Sequence, residues 1–85
     1  MYQVLYRKAA AKALSRMPKP PAEKFLTAFE QLAINSEIDK LDIKPLSGRD
    51  GFRLRIGRWR AIYQIEGKKM VIEVLRIGPR GDVYK

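Results

Sequence analysis

From Gly51 to Ile65 the chain reads GFRLRIGRWRAIYQI, the pattern of a β-hairpin. Phe52 to Ile56 forms one arm and Trp59 to Ile65 the other, with Gly57-Arg58 between them. A Gly-X pair suits a two-residue type II′ turn, because glycine takes the position that needs φ > 0. That turn dictates a register in which Ile56 faces Trp59, Arg55 faces Arg60, Leu54 faces Ala61, Arg53 faces Ile62 and Phe52 faces Tyr63. Side chains alternate sides along a strand. Phe52, Leu54, Ile56, Trp59, Ala61, Tyr63 and Ile65 therefore share one face, and Arg53, Arg55 and Arg60 share the other. Like charges opposed across strands destabilise a sheet. The arginine face is thus either simply solvated or a site for an anion, and the hairpin alone leaves both readings open.

Upstream, Tyr2 to Arg7 alternates loosely, with Tyr2, Val4 and Tyr6 on one side, and predicts a short first strand. A helix from Ala9 to Met17 follows, with Ala10, Ala13, Leu14 and Met17 as its apolar stripe. Pro18-Lys-Pro-Pro21 stops it, because proline disfavours helix at the preceding residue and donates no hydrogen bond. A second helix begins with Pro21 near its first position, where a missing N–H costs nothing. Its stripe is Ala22, Phe25, Leu26, Phe29, Leu32 and Ala33, at i, i+3, i+4, i+7 spacing. The short break predicts an antiparallel helical hairpin. Residues 35 to 45 are polar and mixed in charge, and read as a connection ending near Pro45.

Leu46-Ser-Gly-Arg-Asp-Gly51 leads into the hairpin. Downstream, a turn at Glu66-Gly-Lys68 precedes a last strand from Lys69 to Ile77. Met70, Ile72 and Val74 join the apolar face; Val71, Glu73 and Leu75 lie with the arginines, which makes Glu73 a candidate ion-pair partner of Arg60. The fold class is α+β: an N-terminal strand, a two-helix antiparallel hairpin, then a three-stranded antiparallel meander whose apolar face the helices cover. Residues 1–85 read as a single domain. Pro79 and its flanking glycines argue against continuing the strand. The tail either frays or returns Arg80 and Tyr84 toward the guanidinium cluster.

Composition removes several chemistries. The chain has no cysteine and no histidine, so disulfides, thiolate zinc sites and the commonest general base are absent. No metal and no cofactor are expected. A formal net charge of +9, from 18 Lys+Arg against 9 Asp+Glu, points to a polyanionic partner. No apolar run approaches the ~20 residues of a membrane span. The N-terminus lacks the apolar segment and cleavage site of a signal peptide, so a cytoplasmic protein is expected.

Taken together, the chain resembles the RelE/ParE superfamily of type II toxins. The likeness rests on the order strand–helix–helix–three strands and on Lys44-Pro-Leu-Ser-Gly48 before the hairpin. It rests further on Phe52-Arg-Leu-Arg-Ile-Gly57, Trp59-Arg-Ala-Ile-Tyr63, and Val74-Leu-Arg-Ile-Gly-Pro-Arg80 with Tyr84 four residues on. The resemblance implies a RelE-like mRNA interferase, acting in many members at the ribosomal A site and bound by a cognate antitoxin that often carries a DNA-binding domain. The implied chemistry is metal-free: the ribose 2′-hydroxyl attacks the adjacent phosphate, leaving a 2′,3′-cyclic phosphate and a 5′-hydroxyl. By the same resemblance Arg53 and Arg55 act near the 2′-oxygen, Arg60 stabilises the phosphorane, Arg80 assists the leaving oxygen and Tyr84 orients a base. Lys44, Arg49 and Arg58 are then expected to hold RNA backbone.

Two departures bear on mechanism. Well-studied members carry lysines on the first hairpin strand where this chain has Arg53 and Arg55. Arginine stays protonated, so neither residue acts as a general base, although both can hold phosphate and stabilise developing charge. Pro79 stands where many relatives have His or Lys. The general base is therefore unassigned, with Tyr84 a candidate if neighbouring arginines lower its pKa. An alternative from a different class is a ParE-like binding toxin that poisons DNA gyrase and cuts no RNA; a third is an inactive member that only occupies its antitoxin.

Overall fold

The computed structural model describes residues 1–35 and 40–79. Prolines set the helical boundaries. Helix α1 spans Lys8–Arg16 and ends with Met17 in an extended conformation, as expected of a residue that precedes proline. Helix α2 spans Lys19–Ile34 with proline in its first turn, where the missing N–H has no intrahelical partner to lose. It buries Ala22, Phe25, Ala28, Phe29, Leu32 and Ala33. Leu26, predicted in this stripe, is instead 41% exposed, and Ala28 takes its place on the buried arc. Phe29 is the hub: its ring meets Tyr6 edge-on at 6.0 Å, Tyr63 edge-on at 5.4 Å and Phe25 in a stacked arrangement at 6.5 Å.

The sheet contains β1 (Gln3–Tyr6), β2 (Asp42–Pro45), β3 (Phe52–Ile56), β4 (Trp59–Glu66) and β5 (Val71–Pro79), in the order β1-β5-β4-β3-β2. β1 runs parallel to β5; the other neighbours are antiparallel. The hairpin has the register that its turn dictates, from Ile56↔Trp59 to Phe52↔Tyr63. Gly57, at φ +61°, supplies the positive φ. Leu54, Ala61, Tyr63, Ile72, Val74 and Ile77 join the helical residues in one core. Among the described residues no helix is long and apolar enough to cross a membrane.

The sheet is larger than the predicted meander. Asp42–Pro45, read from sequence as part of a connection, pairs with β3 as an edge strand. Four residues with a proline at the end show too little alternation to reveal a strand, and an edge position tolerates that proline.

β5 also differs. A bulge between Ile62 and Tyr63 places Ile62 opposite Arg76 but Tyr63 opposite Val74, so the extra residue reverses the alternation. On the turn side of this bulge, residues 67–70 form a longer turn than the one expected, so Glu73 faces Gln64 and accepts a hydrogen bond from Arg7 Nε at 3.1 Å; it is not the partner of Arg60. Met70 sits in the preceding turn at φ +53°, 45% exposed rather than on the apolar face. The strand continues past Ile77 through Pro79, opposite Trp59. β1 pairs with β5 only up to Tyr6↔Val74, so beyond that point β5 is itself an edge and has room for proline.

Candidate functional site

Pairing across β2, β3, β4 and β5 assembles two rows on the face away from the helices. One row is Lys44–Arg53–Ile62–Arg76 and the next is Asp42–Arg55–Arg60–Gly78. The three hairpin guanidiniums therefore emerge on one face, and β2 adds a lysine and an aspartate beside them. Lys44, Arg49, Arg53 and Arg60 line an open groove of about 590 Å³ together with Pro45, Leu46 and Ser47.

The loop before β3 completes this groove. The Leu46 N–H donates to the Gly51 carbonyl at 3.0 Å, closing the loop that brings Arg49 to the groove. Gly51 adopts φ +119°, and a Cβ there would lie 3.0 Å from the Tyr63 carbonyl oxygen. Only glycine permits this close approach. Ile62 is buried to 3% exposure although it lies on the cationic face. It borders a smaller cavity of about 140 Å³ with Leu46, Gln64 and Leu75.

Asp42 organises the charges. Its Oδ1 accepts from Arg53 Nη2 at 2.9 Å and its Oδ2 pairs with Arg55 Nε at 2.8 Å. Partial desolvation pushes the carboxyl upward, but the charges and hydrogen bonds of Arg53 and Arg55 outweigh that and leave it below the usual carboxylate range. The Arg53 side chain is 12% exposed, a cost to a cation that the ion pair offsets. Arg60 is half-buried, and among the described residues no acidic side chain pairs with it. On the opposite face, burial, aided for Tyr6 by Glu30, pushes the phenols of Tyr6 and Tyr63 up to about 12. Both are neutral at pH 7.

Of the residues singled out from sequence, Arg53, Arg60, Lys44 and Arg49 come together in the groove. Arg55 shares their face but is held by Asp42 and does not line it. Arg58 lies in the β3–β4 turn with its guanidinium 5.7 Å from the Trp59 ring centroid, away from the groove. Arg80 and Tyr84 lie outside the described residues. Sequence reasoning missed Asp42. No local signal marks it, because Asp42–Pro45 becomes a strand only by pairing with β3.

A five-stranded sheet with a helical hairpin on one face is the build of a RelE/ParE-type toxin, and solved structures bear out the likeness of the fold. An archaeal RelE in complex with RelB, from Pyrococcus horikoshii, superposes with a TM-score of 0.82 at 34% identity, covering 95% of this chain and 97% of that one. The isolated Escherichia coli RelE toxin shares the fold, with a TM-score of 0.78 at 20% identity over 99% of this chain and 92% of its own. A protein assigned as toxin RelE1 in Methanocaldococcus jannaschii is 33% identical across 99% of this chain and 96% of its own length. Residues 4–84 match the model for the ParE toxin of the type II toxin–antitoxin system, parDE, and the chain belongs to that family.

Proposed function

We propose that this toxin is an mRNA endoribonuclease, acting at the ribosomal A site and held in check by a cognate antitoxin. The observation that carries this reading is the convergence of Arg53, Arg60, Lys44 and Arg49 on one groove. Four cationic side chains around a concavity suit a phosphodiester backbone, and the half-buried Arg60 is placed to act on charge as it develops. In the proposed reaction the ribose 2′-oxygen attacks the adjacent phosphorus and the bond to the 5′-oxygen breaks. The products are a 2′,3′-cyclic phosphate and a 5′-hydroxyl, and the guanidiniums supply the positive charge without a metal. Arg53 holds the scissile phosphate, Arg60 stabilises the phosphorane, Arg80 assists the departing oxygen and Tyr84 orients the neighbouring base. The RelE–RelB complex of Pyrococcus horikoshii supports an antitoxin partner, and the +9 charge of this chain suits an acidic one.

A second reading has its own support. Among the described residues the groove is lined by lysine and arginine with no histidine or carboxylate in its lining, which suits a ParE-like toxin that binds DNA gyrase and cuts no RNA. Primer extension on cellular mRNA during induction separates the two. Ribosome-phased cuts that vanish in Arg60→Ala are the expected result; DNA breaks with intact mRNA establish the gyrase reading instead.

A further inference from the structure

We infer that Asp42 is a positioning residue for the RNA phosphate site: it anchors Arg53 so that the remaining guanidinium edge faces the groove. The inference rests on the ribonuclease reading above and adds to it a residue outside the groove wall.

The geometry assigns this role in three steps. Asp42 grips Arg53 through Nη2 at 2.9 Å and Arg55 through Nε at 2.8 Å, yet the groove is lined by Arg53 and not by Asp42 or Arg55. The carboxylate therefore holds Arg53 without itself lining the groove. Arg53 also stands directly opposite Lys44, and Arg55 directly opposite Arg60. Without an anion between the rows, cations this close repel, and a long arginine side chain relieves the strain by swinging into solvent. Finally, the Arg53 side chain is nearly buried while that of Arg55 is about half-exposed. Arg55 thus serves Asp42 as a second counter-charge, fixing the carboxylate that fixes Arg53. Asp42 itself is a poor proton acceptor, since two guanidiniums hold it ionised. Its contribution is orientation, which sets how many hydrogen bonds the phosphate receives in the transition state.

The test compares full-length wild type with Asp42→Asn and Asp42→Glu. Asparagine keeps the shape and an acceptor oxygen but loses the charge; glutamate keeps the charge on a longer arm. In a translating extract, Asp42→Asn is expected to lower the cleavage rate at saturating toxin by at least about tenfold. Its affinity for a short single-stranded RNA stays equal or rises, because one negative charge has gone. Asp42→Glu restores part of the rate. Nitrogen-15 NMR of the Arg53 Nε–H gives a readout independent of catalysis: a sharp, slowly rotating guanidinium in wild type and an averaged one in Asp42→Asn. An Asp42→Asn protein that cleaves at the wild-type rate, or whose Arg53 signal stays as sharp as in wild type, overturns the inference. A wild type that cuts no mRNA removes the ribonuclease reading, and the NMR comparison then decides the role of Asp42 alone.

Discussion

Arg55 and Arg60 face one another across the β3–β4 ladder, yet only Arg60 opens onto the groove, because the Arg55 Nε is tied to Asp42 at 2.8 Å. Two residues that sequence parity treats as equivalent are thereby given different work. Removing a donor that acts on transition-state charge costs about 10²–10³ in rate, and Arg60→Ala should lose that much cleavage. Arg55→Ala removes one of two anchors on Asp42 and should lose less than about tenfold. Rates of mRNA cleavage by the two purified variants check this, with circular dichroism confirming the fold. Equal losses would show that Arg55 reaches the substrate directly.

The core makes an independent prediction. Phe29 is fully buried and touches Tyr6, Phe25 and Tyr63. Phe29→Ala should cost about 3–5 kcal/mol through lost burial and the cavity left behind. That is a large share of the about 5–15 kcal/mol available to a small domain. Leu26→Ala, one turn away and facing solvent, should cost less than about 1 kcal/mol. Urea denaturation of both variants measures the contrast.

Stability should fall at both ends of the pH scale for different reasons. The Asp42 pKa is depressed below its unfolded value of 3.8. Its contribution is therefore complete above that value and is lost as pH falls through the folded pKa. The phenols of Tyr6 and Tyr63 are raised from 10.0 to about 12. Burial favours their neutral form, so stability holds below pH 10 and declines as pH climbs toward 12. Melting temperature against pH should show both limbs, and Asp42→Asn should flatten the acid one. An alkaline limb that begins well below pH 10 would contradict the tyrosine assignment.

How much of this was legible in sequence depends on how far each feature is local. The Gly57-Arg58 turn fixed its own neighbours, so the face of Arg53, Arg55 and Arg60 followed from parity alone. The helical stripe was legible except at Leu26, where i+4 spacing points equally to the edge of the buried arc. β2 was not, since Asp42–Pro45 becomes a strand only by pairing with β3; its backbone bonds are tertiary. With β2 hidden, Asp42 was hidden too. The bulge beside Tyr63 depends on how β5 meets β4 over several residues, and nothing in Val74-Leu-Arg-Ile77 announces it. The false pairing of Glu73 with Arg60 came from the β4–β5 turn, which takes the four residues 67–70 where a shorter turn was expected.

The loop that carries Arg49 offers a last test, because its two glycines differ in their surroundings. Both have positive φ, +76° at Gly48 and +119° at Gly51. A Cβ on Gly48 meets nothing within 4 Å, so Gly48→Ala pays only the left-handed backbone cost of about 1–2 kcal/mol. A Cβ on Gly51 meets the Tyr63 carbonyl oxygen at 3.0 Å and Leu46 Cδ1 at 3.2 Å. The first is backbone of a buried strand and cannot yield, so the loop must move. Gly51→Ala should therefore destabilise by more than Gly48→Ala, by about 1–3 kcal/mol for the strained backbone with the clash added. It should also break the Leu46–Gly51 hydrogen bond and carry Arg49 away from the groove. Urea midpoints rank the two variants, and RNA affinity measured over a salt series reads the position of Arg49. A shallower salt dependence in Gly51→Ala alone is the expected sign of one lost phosphate contact; matching slopes in both variants would show that the loop does not set the groove.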